Sequence, residues 1–446
     1  MNRVGKTFAM VSVVSALSIL AFLGWRQWGP LPDSVAARVN GEAIPAETLN
    51  IFVAATRRAN PQASRESVLK GLIENRLLAD MADSEHAHGD ETREGSVGYD
   101  AQTLHEQQRF RLLRTAYAKE IQAAVSQSGI TDSLTWLTAP LALSPEALAP
   151  MLTLEQNLYT TMTKAQQAQA AEYVIARYRF AEGEPEQTLS LWDLYRRQNI
   201  QLKVQMHNMN LGFIREAIKQ QLNMEYVFHW FEHESGTSAA AIVAMDRCID
   251  DARQREVMLH EYGLMHDIHD DNPALRAQAE AVTAEQVAEY YQQHQDEFVR
   301  VDKVRARHLR VNSQEEADRV VAEIKQGLPF EDAVSRYSVA DDAGQGGKLG
   351  WVDRESRNDD WIRALAFVQP EGRVSAAFRS PTNNDDAYWE ILWVDEKVTG
   401  FQPVESESVR YRASMAVARV ELQKAFKARL AEASDAASLR VNPELL

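Results

Sequence analysis

The sequence predicts an α+β protein, with a mostly helical body behind one N-terminal membrane helix and a compact α+β domain near the C-terminus. Three observations predict it. Residues Thr7 to Trp25 carry no charge, residues 99–298 are rich in Gln, Ala, Glu and Leu at helical spacing, and residues 299–400 change to alternating apolar runs and Gly-rich turns. A chain of 446 residues is long enough for two or three domains with separate cores.

The boundaries follow from composition. Residues 1–6 form a short cytoplasmic N-terminus with Arg3 and Lys6, and residues 7–25 are long enough to cross a hydrocarbon layer of about 30 Å as a helix. Basic residues ahead of the span favour retention of the N-terminus in the cytoplasm, which puts the bulk of the chain on the other side of the membrane. The competing reading is a cleaved signal peptide. Against it, the segment runs into Trp25, Arg26 and Trp28 without a clear small-x-small site, and interfacial Trp suits an anchor.

Residues 35–98 read as an N-terminal lobe. Val35-Ala-Ala-Arg-Val39, Asn40-Gly41 and Glu42-Ala-Ile44 make a β-hairpin, and Ser67 to Ala82 places Val68, Leu72, Ile73, Leu77, Leu78 and Met81 on one helical face. Residues 99–298 follow as an irregular helical domain with breaks near Gly129, Pro140, Pro145, Gly183 and Gly236, and no repeat of fixed period. Thr283 and Gln286 have capping-box spacing. In residues 299–400, Val304 to Val311 alternates as a strand. Ser313 caps a helix that stops at Gly327, and Tyr388 to Val394 closes the domain as a strand. Residues 401–446 return to helix, with Val409, Met415, Val417, Val420, Leu422, Phe426 and Leu430 available for packing.

Composition narrows the function. The chain is 45% hydrophobic and 25% charged with a formal charge of −16, so nucleic acid is not the expected partner. Cys248 is the only cysteine, which excludes an intrachain disulfide and leaves a free thiol, an intermolecular bridge or a small buried hydrophobe on a helix. There is no Gly-rich phosphate loop, no GxSxG elbow and no Cys-based metal motif, so no cofactor is expected. His229-Trp-Phe-Glu232-His233 fits the H-x-x-E-H zinc-peptidase word, but such a pair arises often on amphipathic helices. His260, His266 and His269 with Asp267, Asp270 and Asp271 are a looser cluster whose ordinary reading is a solvated helix end. No metal is expected at either.

From His308 onward a family pattern emerges. Val304-Arg-Ala-Arg-His308-Leu-Arg-Val311, Ile324-Lys-Gln-Gly327, Phe330-Glu-Asp-Ala333, Tyr337-Ser338, Gly346-Gly347-Lys-Leu349-Gly350-Trp351 and Glu371-Gly372-Arg373-Val374-Ser375 follow one another in an order that resembles a parvulin (PpiC-like) peptidyl-prolyl isomerase domain. Val39-Asn40-Gly41-Glu42-Ala-Ile44 and Leu72-Ile73-Glu74-Asn75-Arg76-Leu77-Leu78 resemble the N-terminal chaperone region of SurA-like and PpiD-like membrane-anchored periplasmic foldases, in which the last helix packs back on that lobe. Residues 99–280 match no pattern of that family.

The resemblance implies a site. His308 takes the position of the first of two family histidines, Asp341 or Asp342 supplies the central acid with Asp341 the first candidate, and Trp351, Phe367, Val374 and Phe378 line the proline pocket. The second histidine is replaced by Glu390, in Tyr388-Trp389-Glu390-Ile391. Arg310 stands where an apolar residue is common and Arg379 where an aromatic one is common. The expected function is a membrane-anchored foldase acting on unfolded or partly folded chains with Xaa-Pro bonds. The alternative is a non-enzymatic assembly factor dedicated to one envelope partner.

Overall fold

The computed structural model describes residues 31–86, 100–154, 161–265, 272–383 and 386–446. The span expected at residues 7–25 lies outside them, and among the described residues no helix is long and apolar enough to cross a membrane. The protein is α+β, with a helical body and a sheet domain, and it divides into two compact units. One takes the chain up to Asn272 together with Gln423–Leu446, and the other takes Pro273–Leu422.

The first unit begins with strands β1 (Val35–Val39) and β2 (Glu42–Pro45). Asn40 and Gly41 both take positive φ, 50° and 91°, the geometry that a two-residue hairpin turn needs to match strand twist. Helices α1 (Ala46–Ala59), α2 (Arg65–His86), α3 (Ala101–Ala116), α4 (Ala118–Ser128), α5 (Pro145–Leu152) and α6 (Lys164–Glu172) follow. On α2 the buried stripe is Leu69, Leu72, Ile73, Leu77, Leu78 and Met81, and Val68 packs, partly buried, against the cluster of Leu69, Leu72, Ile73 and Leu77. Gly129 ends α4 in the left-handed conformation, and Pro145 sits at the first turn of α5, where its missing N–H costs nothing.

The helical region departs from expectation at strands β3 (Val174–Tyr178) and β4 (Gln187–Ser190), which form an antiparallel hairpin. These runs are five and four residues long, too short to show a period of two against helical surroundings. Tertiary contacts stabilise them: Thr138 N–H donates to Arg177 O, Arg179 N–H to Trp136 O, and Ile175, Ala176, Tyr178 and Leu189 join a buried cluster with Trp136 and Tyr226. Helices α7 (Leu191–Arg196), α8 (Ile200–His207), α9 (Leu211–His233) and α10 (Ala239–Glu261) complete this stretch. Cys248 is buried on α10 in the cluster with Ala36, Leu49 and Leu72, and burial pushes its thiol up to about 12.

In the second unit, α11 (Pro273–Glu280) and α12 (Ala284–Gln293) precede a four-stranded sheet. The capping box of α12 is present in both directions between Thr283 and Gln286. The chain then runs β5 (Val299–Val311), α13 (Gln314–Lys325), α14 (Phe330–Tyr337), β6 (Lys348–Asp353), α15 (Trp361–Val368), β7 (Phe378–Arg379) and β8 (Trp389–Phe401). Strand order is β6-β5-β8-β7, with the long central pair β5 and β8 antiparallel. Because side chains alternate, Leu309 and Val311 pack with α13 and α14 on one face. Val304 and Ala306 pack with Ile362, Ala366 and Phe367 of α15 on the other.

Helix α16 (Glu407–Ala436) contributes Val409 and Ala413 to the second unit. From Gln423 onward it belongs to the first, where Phe426 packs with Leu78, Met81 and Met258. The chain closes with β9 (Leu439–Val441), antiparallel to β1 with Leu439 opposite Val39. Val420, expected to pack, is 59% exposed.

Candidate functional site

The site is built on β5 and β8. Their register puts Arg310 directly opposite Glu390 and His308 opposite Leu392, so on one face His308 is the diagonal neighbour of Glu390. Val304, Ala306, Leu392 and Val394 make the rest of that face apolar, and within it Glu390 is fully buried and His308 nearly so.

A buried carboxylate is tolerated only when paired, and Glu390 is paired twice. Its Oε2 lies 2.7 Å from His308 Nδ1, and its Oε1 accepts from Arg310 Nε at 2.8 Å. On the far side of the imidazole, Nε2 lies 3.0 and 3.1 Å from the two oxygens of Asp342. A neutral imidazole has a single N–H and satisfies one of these carboxylates; with a carboxylate at each nitrogen, only the imidazolium donates to both. Burial pulls the His308 pKa down, but hydrogen bonds and charge from Glu390 and Asp342 outweigh it and hold the group above the usual histidine value.

The loop between α14 and β6 delivers the acid. Asp342 O accepts from Gln345 N and Gly347 N, closing a tight turn. Gly347 O in turn accepts the His308 N–H at 2.8 Å. Gly347 has φ of 62°, and a Cβ there would stand 2.0 Å from His308 O, so only glycine fits. The turn directs Asp342, not Asp341, at His308. Asp341 is solvent-exposed with no hydrogen bond to the ring, which corrects the first candidate for the acid.

Of the pocket candidates, Phe378 stands opposite Glu390 across β7 and β8, and Phe367 packs under the His308 face. The other two lie elsewhere. Val374 packs with the α13 and α14 cluster on the opposite face, and Trp351 pairs with Arg305, whose guanidinium lies 5.6 Å from its ring centroid. Two residues without an expected role join the site, Arg310 and Tyr388, the guanidinium carbon lying 4.0 Å from the ring centroid. Arg310 and Glu390 thus form an ion pair at the site.

Residues 282–409 match the family model of the PPIC-type PPIASE domain. This stretch is a PpiC-type parvulin domain. Its relatives include the foldase protein PrsA of Bacillus subtilis, 37% identical over 73 residues, which are 16% of this chain and 25% of PrsA. The chaperone SurA of Thiobacillus denitrificans is 27% identical over 157 residues, 33% of this chain and 34% of that protein. The chain thus spans a quarter to a third of the length of these two relatives. Among solved structures, that of a SurA-like chaperone from Campylobacter jejuni covers 59% of this chain and 98% of its own at 17% identity, with a TM-score of 0.22.

Outside the parvulin domain, the H-x-x-E-H residues have other partners. His229 Nε2 bonds Glu184 at 2.8 Å, Glu232 takes Arg109 at 2.7 Å, and the His233 ring stacks on His229. Of the looser cluster, His266, His269, Asp267, Asp270 and Asp271 lie outside the described residues. Among the described residues no group of three His, Cys, Asp or Glu is placed to hold a metal ion.

Proposed function

We propose that the chain is a foldase anchored in the inner membrane by residues 7–25, with its bulk in the periplasm, and that its parvulin domain isomerises Xaa-Pro bonds of unfolded or partly folded envelope proteins. The observation that carries the reading is the clamp on Asp342: a carboxylate at the edge of the site held by an imidazolium that a buried carboxylate holds in turn.

Isomerisation makes no covalent bond. It requires that the twisted amide be favoured over the planar one, against a barrier of roughly 18 to 20 kcal/mol. In the planar amide, resonance puts negative charge on the carbonyl oxygen, and rotation withdraws it. A fixed carboxylate facing that oxygen destabilises the planar form more than the twisted one, provided it does not move or protonate. The His308 pair holds Asp342 in place, and Phe378 offers an apolar surface to the prolyl ring. Tethering would raise the local concentration of emerging chains without tight binding.

A second reading has its own support. Glu390 is shared between His308 and Arg310 in a closed network, which suits a domain kept for binding or architecture in an assembly factor with one envelope partner. The cis-to-trans rate of Xaa-Pro peptides with the full chain, beside His308→Ala, separates the two. Acceleration abolished by the substitution supports the isomerase, and no acceleration on any peptide contradicts it.

A further inference from the structure

The Arg310 side chain is one-third exposed at the rim of the His308 site. Its Nε donates to Glu390, and its plane is set by Tyr388, 4.0 Å below the guanidinium carbon. Among the described residues no hydrogen bond takes up its Nη groups. Asp360, whose charge Arg310 also feels, uses its carboxylate to cap α15 at Ile362 N–H. A guanidinium oriented by an ion pair behind and an aromatic ring beneath, with its outer N–H groups uncommitted, is prepared for a planar anionic acceptor.

We propose that Arg310 is a specificity-determining residue, and that the site prefers prolyl segments carrying a carboxylate side chain next to the proline. The inference rests on the isomerase reading for its substrate class. Glu390 neutralises part of the Arg310 charge but is itself shared with His308, so positive charge faces outward. Asp342 lies on the other side of the imidazole, and the two exposed charges give the site a polarity along the bound chain. Rim ion pairs are modest in strength, and a pre-oriented one of this kind is expected to contribute about fivefold in affinity.

The test uses the full chain and a series of proline peptides with Glu, Gln or Lys at each position flanking the proline. Binding is followed by fluorescence anisotropy and turnover by exchange NMR. The expected result is about fivefold tighter binding of Glu over Gln at one flanking position, weaker binding of Lys there, and loss of the preference as salt rises. Arg310→Lys retains the order with a smaller ratio, whereas Arg310→Leu with Glu390→Gln, which removes the pair together, abolishes it. Equal affinity for Glu, Gln and Lys at every position, in peptides that bind and turn over, overturns the preference and leaves the isomerase reading intact. Absence of both binding and turnover in the whole series overturns the two together.

Discussion

Arg310 and Glu390 face each other across the central strand pair of the parvulin domain, 2.8 Å apart from Nε to Oε1, although 80 residues separate them in the chain. Each explains the other. A buried carboxylate demands a cation, and Arg310 supplies one from the opposite strand while His308 supplies a second.

Their coupling predicts non-additive substitutions. Glu390→His alone leaves Arg310 without its carboxylate and sets three basic groups together, and the expected loss is about 2–4 kcal/mol of domain stability. Adding Arg310→Leu should recover most of it. Urea midpoints of the two single variants and the double variant form a cycle that measures the pair directly; simple additivity would contradict the coupling.

The His308 imidazolium makes stability depend on pH. Its folded pKa is raised above the ordinary value of about 6.5, so its contribution is complete below that unfolded value and is lost as pH rises through the folded one. The difference in denaturation midpoint between wild type and His308→Gln should therefore be largest below about pH 6.5 and shrink as pH rises above it. A difference that grows with pH would reverse the assigned charge state.

Gly347, in the loop before β6, and Gly350, within β6, should respond differently. At Gly347 a methyl group meets the His308 carbonyl at 2.0 Å, whereas at Gly350, φ 71°, nothing lies within 4 Å. Gly350→Ala should cost only the left-handed backbone penalty of about 1–2 kcal/mol. Gly347→Ala should cost more and displace β5 from the loop. Thermal melting of the two variants ranks them, and equal losses would contradict the close approach.

Truncation after Ala436 tests the closure of the helical unit. Strand β9 covers the free edge of β1 through Ala37, Arg38 and Val39, and an uncovered edge is open to pairing with other chains. The truncated protein should melt earlier and self-associate. Unchanged melting and a monodisperse profile in size-exclusion chromatography would show that β9 is dispensable.

Local signals were legible from the sequence, and distant pairings were not. The Asn40-Gly41 hairpin, the capping box at Thr283 and the Ser313 cap depend on residues within a few positions, and the structure has all three. His308 and Glu390 were marked by motif order, and their contact follows from strand register. The sequence leaves Asp341 and Asp342 both open as the acid, because loop geometry, set by Gly347, decides which of two adjacent acids turns inward. The β3–β4 hairpin is not legible in the sequence because its strands are stabilised by contacts with Trp136 and Thr138 rather than by their own pattern. Trp351 and Val374 have the right chemistry for a pocket wall, but sheet alternation and edge position direct them elsewhere.

The central claim is that the Asp342 carboxylate, clamped by His308, drives rotation of the prolyl bond. The most direct measurement is the isomerisation rate of a proline peptide, by exchange NMR, with the full chain and with Asp342→Asn and Asp341→Asn. The account predicts acceleration by the wild type, at least about tenfold loss in Asp342→Asn, and little change in Asp341→Asn. Acceleration that survives Asp342→Asn undiminished, or its absence in the wild type, would contradict it.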